Sequence, residues 1–208
     1  MDLIDRARTL YAETDSAHDF DHVRRVLALV RRIGPAEGAD MRLLEAATLL
    51  HDIARADEVE NGADHARVGA ERARAIVLQW GYTPAEAEAI AGIIAAHRFR
   101  NESPPRTVEE KVLYDADKLD AIGAIGVGRA FAYAGRTGQR LWSPVPAGAR
   151  ATQPVDPATH SPAIEFAVKL SHLAGSLHTK PARVIARERH AFMVAFFERL
   201  EAEVTGER

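Results

Sequence analysis

An all-α, single-domain helical bundle is the fold class that this chain predicts, and three observations predict it. Apolar residues recur at steps of three and four over most of its length, no stretch alternates Val, Ile and Thr as a strand would, and 47% hydrophobic residues in 208 can bury a core without staples. From Phe20, the positions Val23, Val26, Leu27, Val30 and Ile33 make one stripe with Arg24, Arg25, Arg31 and Arg32 off it, and Gly34-Pro35 is expected to stop the helix. The next helix, from about Asp40, carries Leu43, Leu44, Ala46, Ala47, Leu49 and Leu50, is apolar almost all round, and should sit centrally before ending at His51-Asp52. Helices follow at about 63–79, closed by Gly81, and at 84–97, where Thr83-Pro84 supplies an N-cap and an N1 proline. After the Pro104-Pro105 break one runs from about 107 toward Asp117, and another occupies 122–134, where Gly123, Gly126 and Gly128 point to close backbone approach. Residues 143–162 hold five prolines and form one long loop, the form that a lid or a partner contact takes. Helices at about 163–178 and 182–203 cap the bundle, the last with Val184, Ile185, Phe192, Met193, Phe196, Phe197 and Leu200 as its core stripe. The whole of 1–208 reads as one domain, with a metal-site region at 18–120, the Pro-rich loop at 143–162 and C-terminal helices at 163–204.

Composition excludes several classes of function. With 27 Lys and Arg against 30 Asp and Glu, the net charge of −3 provides no broad basic field for a long nucleic-acid backbone, so no long nucleic acid is expected as a partner. The absence of Cys removes disulfides, thiolate zinc sites and thiol nucleophiles, and leaves any metal to His, Asp, Glu, backbone or water. The opening MDLIDRARTLYAETDS has no apolar signal region and no later run approaches the roughly 18 apolar residues of a membrane span. No membrane contact and a cytoplasmic location are therefore the expectation, and a homo-oligomer stays open.

Chemistry is signalled by where the histidines fall. His18, His22, His51, His65 and His97 each lie at or near the end of an expected helix, with Asp52, Asp115, Asp117 and Asp120 beside them. A His-Asp dipeptide says little alone, since about 0.6 is expected by chance and the chain has two. The context of His51-Asp52 says more, because two groups that are costly to bury end a nearly all-apolar helix, and a cation would offset that cost. His22, near the start of the preceding helix, can point at the same spot, and in YDADKLDAIGAIG one of the carboxylates at 115, 117 and 120 can close the set; Asp117 is the choice. Mixed His and carboxylate ligands suit Mn, Fe, Co, Ni or Zn better than Ca, and four protein ligands on an octahedral ion leave positions for water and substrate oxygen. His160, His172, His178 and His190 read as ordinary surface or capping residues, and the arginine pairs at 24–25 and 31–32 as a solvated face.

At His22, His51-Asp52 and Asp117 the pattern H…HD…D resembles the HD-domain superfamily of metal-dependent phosphohydrolases. AHDFDHVRRVLALV, ATLLHDIARA, HARVGAERARAIV, YDADKLDAIGAIGVGRAF and the C-terminal KLSHLAGSLHTKPARVIARERHAFMVAFFERLEAE look like its stand-alone bacterial YedJ/YpgQ-type subgroup, over nearly the whole chain. The resemblance implies a helical bundle in which His22, His51, Asp52 and Asp117 hold one divalent metal, with Mn the working choice, and in which Lys118 contacts substrate phosphate. Arg129 is a second candidate cation, His65 and His97 would donate protons or contact phosphate, and His18 would sit at the mouth. His97 is followed by Arg98 where the binuclear branch carries a paired His, so one metal is favoured. Ala54-Arg55 stands where some branches place an acid that helps activate water, with Asp57 a substitute candidate.

The expected activity is hydrolysis of a small phosphorylated substrate, a nucleotide, by attack of a metal-bound water. The subgroup resemblance favours a nucleoside triphosphate cut to monophosphate and pyrophosphate. A nucleoside monophosphate phosphatase or other phosphoesterase is the nearest alternative. A non-catalytic regulatory module that binds nucleotide or metal is the alternative from a different class.

Overall fold

The structure, a computed structural model, describes residues 2–11, 20–62, 64–98, 104–149 and 158–208, with the backbone alone at 59–61. Every regular element among the described residues is helical, as the periodicity predicts. Two compact units divide the chain, Met1–Asp117 and Lys118–Arg208.

In the first unit, α1 (Leu3–Arg8) and α2 (Phe20–Glu37) lead to α3 (Met41–Leu50), followed by α4 (Arg55–Asn61), α5 (His65–Gln79), α6 (Pro84–Ala95) and most of α7 (Val108–Asp120). The central place expected for α3 holds: it packs against α1, α2, α5 and α6, and Leu44, Ala46, Ala47, Thr48, Leu49 and Leu50 are all buried. Asp40 starts it by accepting from the Arg42 and Leu43 amides, and the capping box of Thr83 and Glu86 starts α6. Asp64 starts α5 by accepting from the Ala66 and Arg67 amides.

Gly34-Pro35 does not stop α2, which runs on to Glu37. The stop is Gly38, in the left-handed region at φ 73°, where the Ala39 amide donates to the Gly34 carbonyl and the Gly38 amide to that of Pro35. Gly34 is kept for space, since a side chain there would meet Met41 Sδ at 2.5 Å. Two helices were not expected. The short α1 adds Ala7, Leu3 and Ile4 to a cluster with Val23, Leu27, Leu49 and Trp80, and α4 has no apolar stripe to betray it.

In the second unit, α8 (Gly123–Arg136) packs on α11 (Lys180–Val204) and on α9 (Pro162–Glu165); a π-helical stretch at Phe166–Leu170 joins α9 to α10 (Ser171–Leu173). Phe131, Phe166 and Phe196 surround Phe197, with the Phe166 and Phe197 rings stacked at 4.6 Å. Of the expected stripe on α11, Ile185, Met193 and Phe197 are buried, whereas Val184 and Phe192 are half exposed. Each lies one residue, or about 100° of helix, off the line through the buried positions. Close approach is real at Gly123 and Gly126 but absent at Gly128, which has open space beside it. Within the expected 143–162 loop, Ser143 donates to Ser161 Oγ at 2.9 Å, tying its ends together; 150–157 lie outside the described residues.

Candidate metal centre

The C-terminal end of α3 delivers His51 and Asp52 into the interior of the first unit, and His22, one turn into α2, meets them there. All three are buried. His22 Nε2 lies 3.3 Å from His51 Nε2, 3.7 Å from Asp52 Oδ2 and 3.3 Å from Asp117 Oδ1. His65, first residue of α5, and His97, just beyond α6, approach the other oxygen of the same carboxylate: their Nε2 atoms lie 3.5 and 3.6 Å from Asp52 Oδ1 and 3.3 Å from each other. Asp52 thus belongs to two donor sets, one with His22 and His51, the other with His65 and His97.

The outer nitrogens fix the tautomers. His51 Nδ1 lies 2.7 Å from the Thr48 carbonyl and His97 Nδ1 2.6 Å from that of Ile94; a carbonyl only accepts, so each Nδ1 carries the proton and each Nε2 presents a lone pair inward. His65 Nδ1 lies 2.6 Å from the Glu58 carboxylate, with the same consequence. His65 Nε2, His97 Nε2 and Asp52 Oδ1 are therefore three acceptors facing one another, an arrangement that positive charge at their centre stabilises. Two ligands about 2.1 Å from a common ion stand about 3.0 Å apart at a right angle and about 3.4 Å apart at the tetrahedral angle. Separations of 3.3–3.7 Å about His22 and 3.3–3.6 Å about His65 are close to that spacing. Imidazoles whose far nitrogens donate to carbonyl or carboxylate are in the state that metal ligands require. The buried clusters are consistent with divalent metal binding.

Electrostatics point the same way. Burial pushes His51 down to about 4, so it stays neutral and ready to ligate at neutral pH. Burial also lowers His65, with His97 and Arg55 adding to the effect against the pull of Asp52. For Asp52, burial acts upward, but His51, His97 and His22 overcome it and hold the carboxyl well below its ordinary value, so it is ionised. A stability prediction follows for protein stripped of metal. Between about pH 6.5, where an unfolded His titrates, and about 4, where folded His51 does, the unfolded state binds the extra proton. Stability contributed above this window is lost as pH falls through it, about 3 kcal/mol from His51 alone. Urea unfolding of chelator-treated protein at pH 7, 5.5 and 4 reads this directly, and equal stability at all three would show that His51 is not buried neutral.

The remaining sequence candidates divide. Lys118 is buried and follows Asp117 on α7. Arg129, on α8, donates through Nη1 to the Asp120 carboxylate at 2.9 Å. His18 lies outside the described residues. Asp57 is held by both terminal nitrogens of Arg72, at 2.7 and 2.8 Å. Glu58 does what the sequence reading missed: it anchors His65 and joins Arg55 and Arg98 at 2.7 and 2.9 Å. Nothing in the polar stretch RADEVEN signals that role, because α4 itself was not expected.

The chain is similar to several known proteins. The HD domain family pattern matches residues 19–122. The uncharacterized protein YpgQ of Bacillus subtilis is 32% identical over 203 residues, 96% of this chain and 90% of its own length. The crystal structure of Bacillus subtilis YpgQ in complex with ADP superposes with a TM-score of 0.76 at 33% identity, covering 98% of both chains. A predicted HD superfamily hydrolase from an uncultured Thermotogales bacterium gives a TM-score of 0.67 at 28% identity, covering 96% of this chain and 90% of the other.

Proposed function

The chain belongs to the HD domain family, and from that premise we propose that it is a metal-dependent phosphohydrolase whose substrates are nucleotides. His22, His51, Asp52 and Asp117 hold one divalent transition metal, Mn as the working choice. The preferred substrate is a nucleoside triphosphate, cut to monophosphate and pyrophosphate. The observation that carries this reading is the convergence of the His22 and His51 Nε2 atoms with the carboxylates of Asp52 and Asp117. That YpgQ forms a complex with ADP supports a nucleotide as the ligand class.

A divalent ion bound there supplies a Lewis acid for a phosphoryl oxygen and acidifies a water for in-line attack on phosphorus. The chain's own residues do the rest. Thr48 and Ile94 carbonyls keep His51 and His97 in the one tautomer that points a lone pair inward. The proton-donor or phosphate-contact roles of His65 and His97 call for a proton on Nε2; with their lone pairs turned inward and Asp52 shared, the two are instead a second set of metal-ligating atoms. Lys118 and Arg129 are the cations assigned to developing phosphate charge.

Chromatography of products from nucleoside mono-, di- and triphosphates incubated with Mn²⁺ tests the reading. Monophosphate plus pyrophosphate from the triphosphate is the expected result. Orthophosphate from monophosphates alone would make the protein a nucleotidase. No turnover of any nucleotide by metal-loaded protein would replace catalysis with a regulatory binding module.

A further inference from the structure

Arg55 opens α4 three residues after Asp52, and the reaction as proposed gives it no task. Its Nη1 lies 2.7 Å from Glu58 Oε2, 3.1 Å from His65 Nδ1 and 3.4 Å from His65 Nε2. His65 Nε2 in turn lies 3.5 Å from Asp52 Oδ1, so one imidazole separates the guanidinium from the shared carboxylate. The position is built rather than incidental. Glu58 accepts from Arg55, from His65 Nδ1 at 2.6 Å and from Arg98 Nη2 at 2.9 Å, while Arg98 Nη1 reaches Asp64, the cap of α5, at 3.0 Å. One carboxylate thus divides its charge among two guanidiniums and an imidazole.

Arg72 shows the contrast: it spends both terminal nitrogens on Asp57. Among the described residues Arg55 pairs with a carboxylate through Nη1 alone, that of Glu58, and its side chain is 33% exposed. The planar edge that this leaves fits two oxygens of a phosphate. Its placement adds direction. Asp117 lies on the His22 side of Asp52, at 3.3 Å from His22 Nε2, and Arg55 lies on the His65 side. A lone phosphate has one centre to occupy, whereas a chain of phosphates can engage the ligand end and the guanidinium at once.

We propose that Arg55 is a specificity-determining residue that binds the phosphates adjoining the one attacked, so that the site selects nucleoside polyphosphates over monophosphates. The inference rests on the hydrolase reading for its meaning, but binding tests it without turnover. Calorimetry of Mn²⁺-loaded wild type, Arg55→Gln and Arg55→Lys with inorganic pyrophosphate and with orthophosphate is the experiment. Arg55→Gln is expected to weaken pyrophosphate binding roughly 10- to 100-fold, to leave orthophosphate binding and manganese content near wild type, and Arg55→Lys to recover part of the loss. Equal weakening of both anions, no weakening, or wild type that binds pyrophosphate no tighter than orthophosphate would overturn the proposal. Lost manganese would overturn it too, by making Arg55 a support for His65. Failure of the hydrolase reading would appear separately, as wild type that binds pyrophosphate in this way yet cleaves no nucleotide.

Discussion

Asp52→Asn is expected to cost metal retention and turnover together. Asp52 is the one residue common to both donor sets, one oxygen facing His22 and His51 and the other His65 and His97. An amide keeps the shape but removes the negative charge and replaces one acceptor oxygen with a donor NH₂, which faces an inward lone pair whichever way it turns. Turnover is expected to fall on the order of 10³-fold or more, about 4 kcal/mol of transition-state stabilisation. Metal content measured after gel filtration should fall with it. Retained metal with lost turnover would instead make Asp52 a catalytic group that is not needed as a ligand.

Gly126→Ala destabilises the second unit severely. A methyl at 126 would stand 2.3 Å from the carbonyl oxygen of Ala121 and 2.7 Å from its carbonyl carbon, and backbone cannot swing aside as a side chain can. The cost is expected to be about 3 kcal/mol or more, which corresponds to a fall in Tm of about 6–12 °C. Gly128→Ala is the control on the same helix, since nothing lies within 4 Å of the added methyl. It should be neutral or slightly stabilising. Equal melting temperatures for the two variants would contradict the close approach.

These two residues also mark what a sequence discloses. The apolar face of α3 and the cost of ending it in His51-Asp52 are local facts, so the helix, its centrality and the suspicion of a cation site were all legible. So was the need for glycine in AIGAIGVG, although spacing alone did not separate Gly126, which is pressed against backbone, from Gly128, which is not. The convergence of His65 and His97 on Asp52 is different in kind. It depends on how the start of α5 and the end of α6 are brought to the end of α3, and no periodicity encodes that. Glu58 was invisible for a related reason: α4 is held by Arg55, Glu58, Arg98 and His65 rather than by an apolar stripe. The misplaced stop of α2 has a local cause, a proline tolerated in the last turn with the left-handed glycine three residues later.

The proposed function stands or falls on a metal held for phosphate hydrolysis by the His22, His51, Asp52 and Asp117 cluster. Nucleotide turnover by metal-stripped wild type, His51→Ala and Asp117→Ala, before and after Mn²⁺ is restored, tests it most directly. Activity is expected to be absent without metal, to return in wild type and to return in neither variant. Turnover in stripped wild type, or full recovery in His51→Ala, would contradict it.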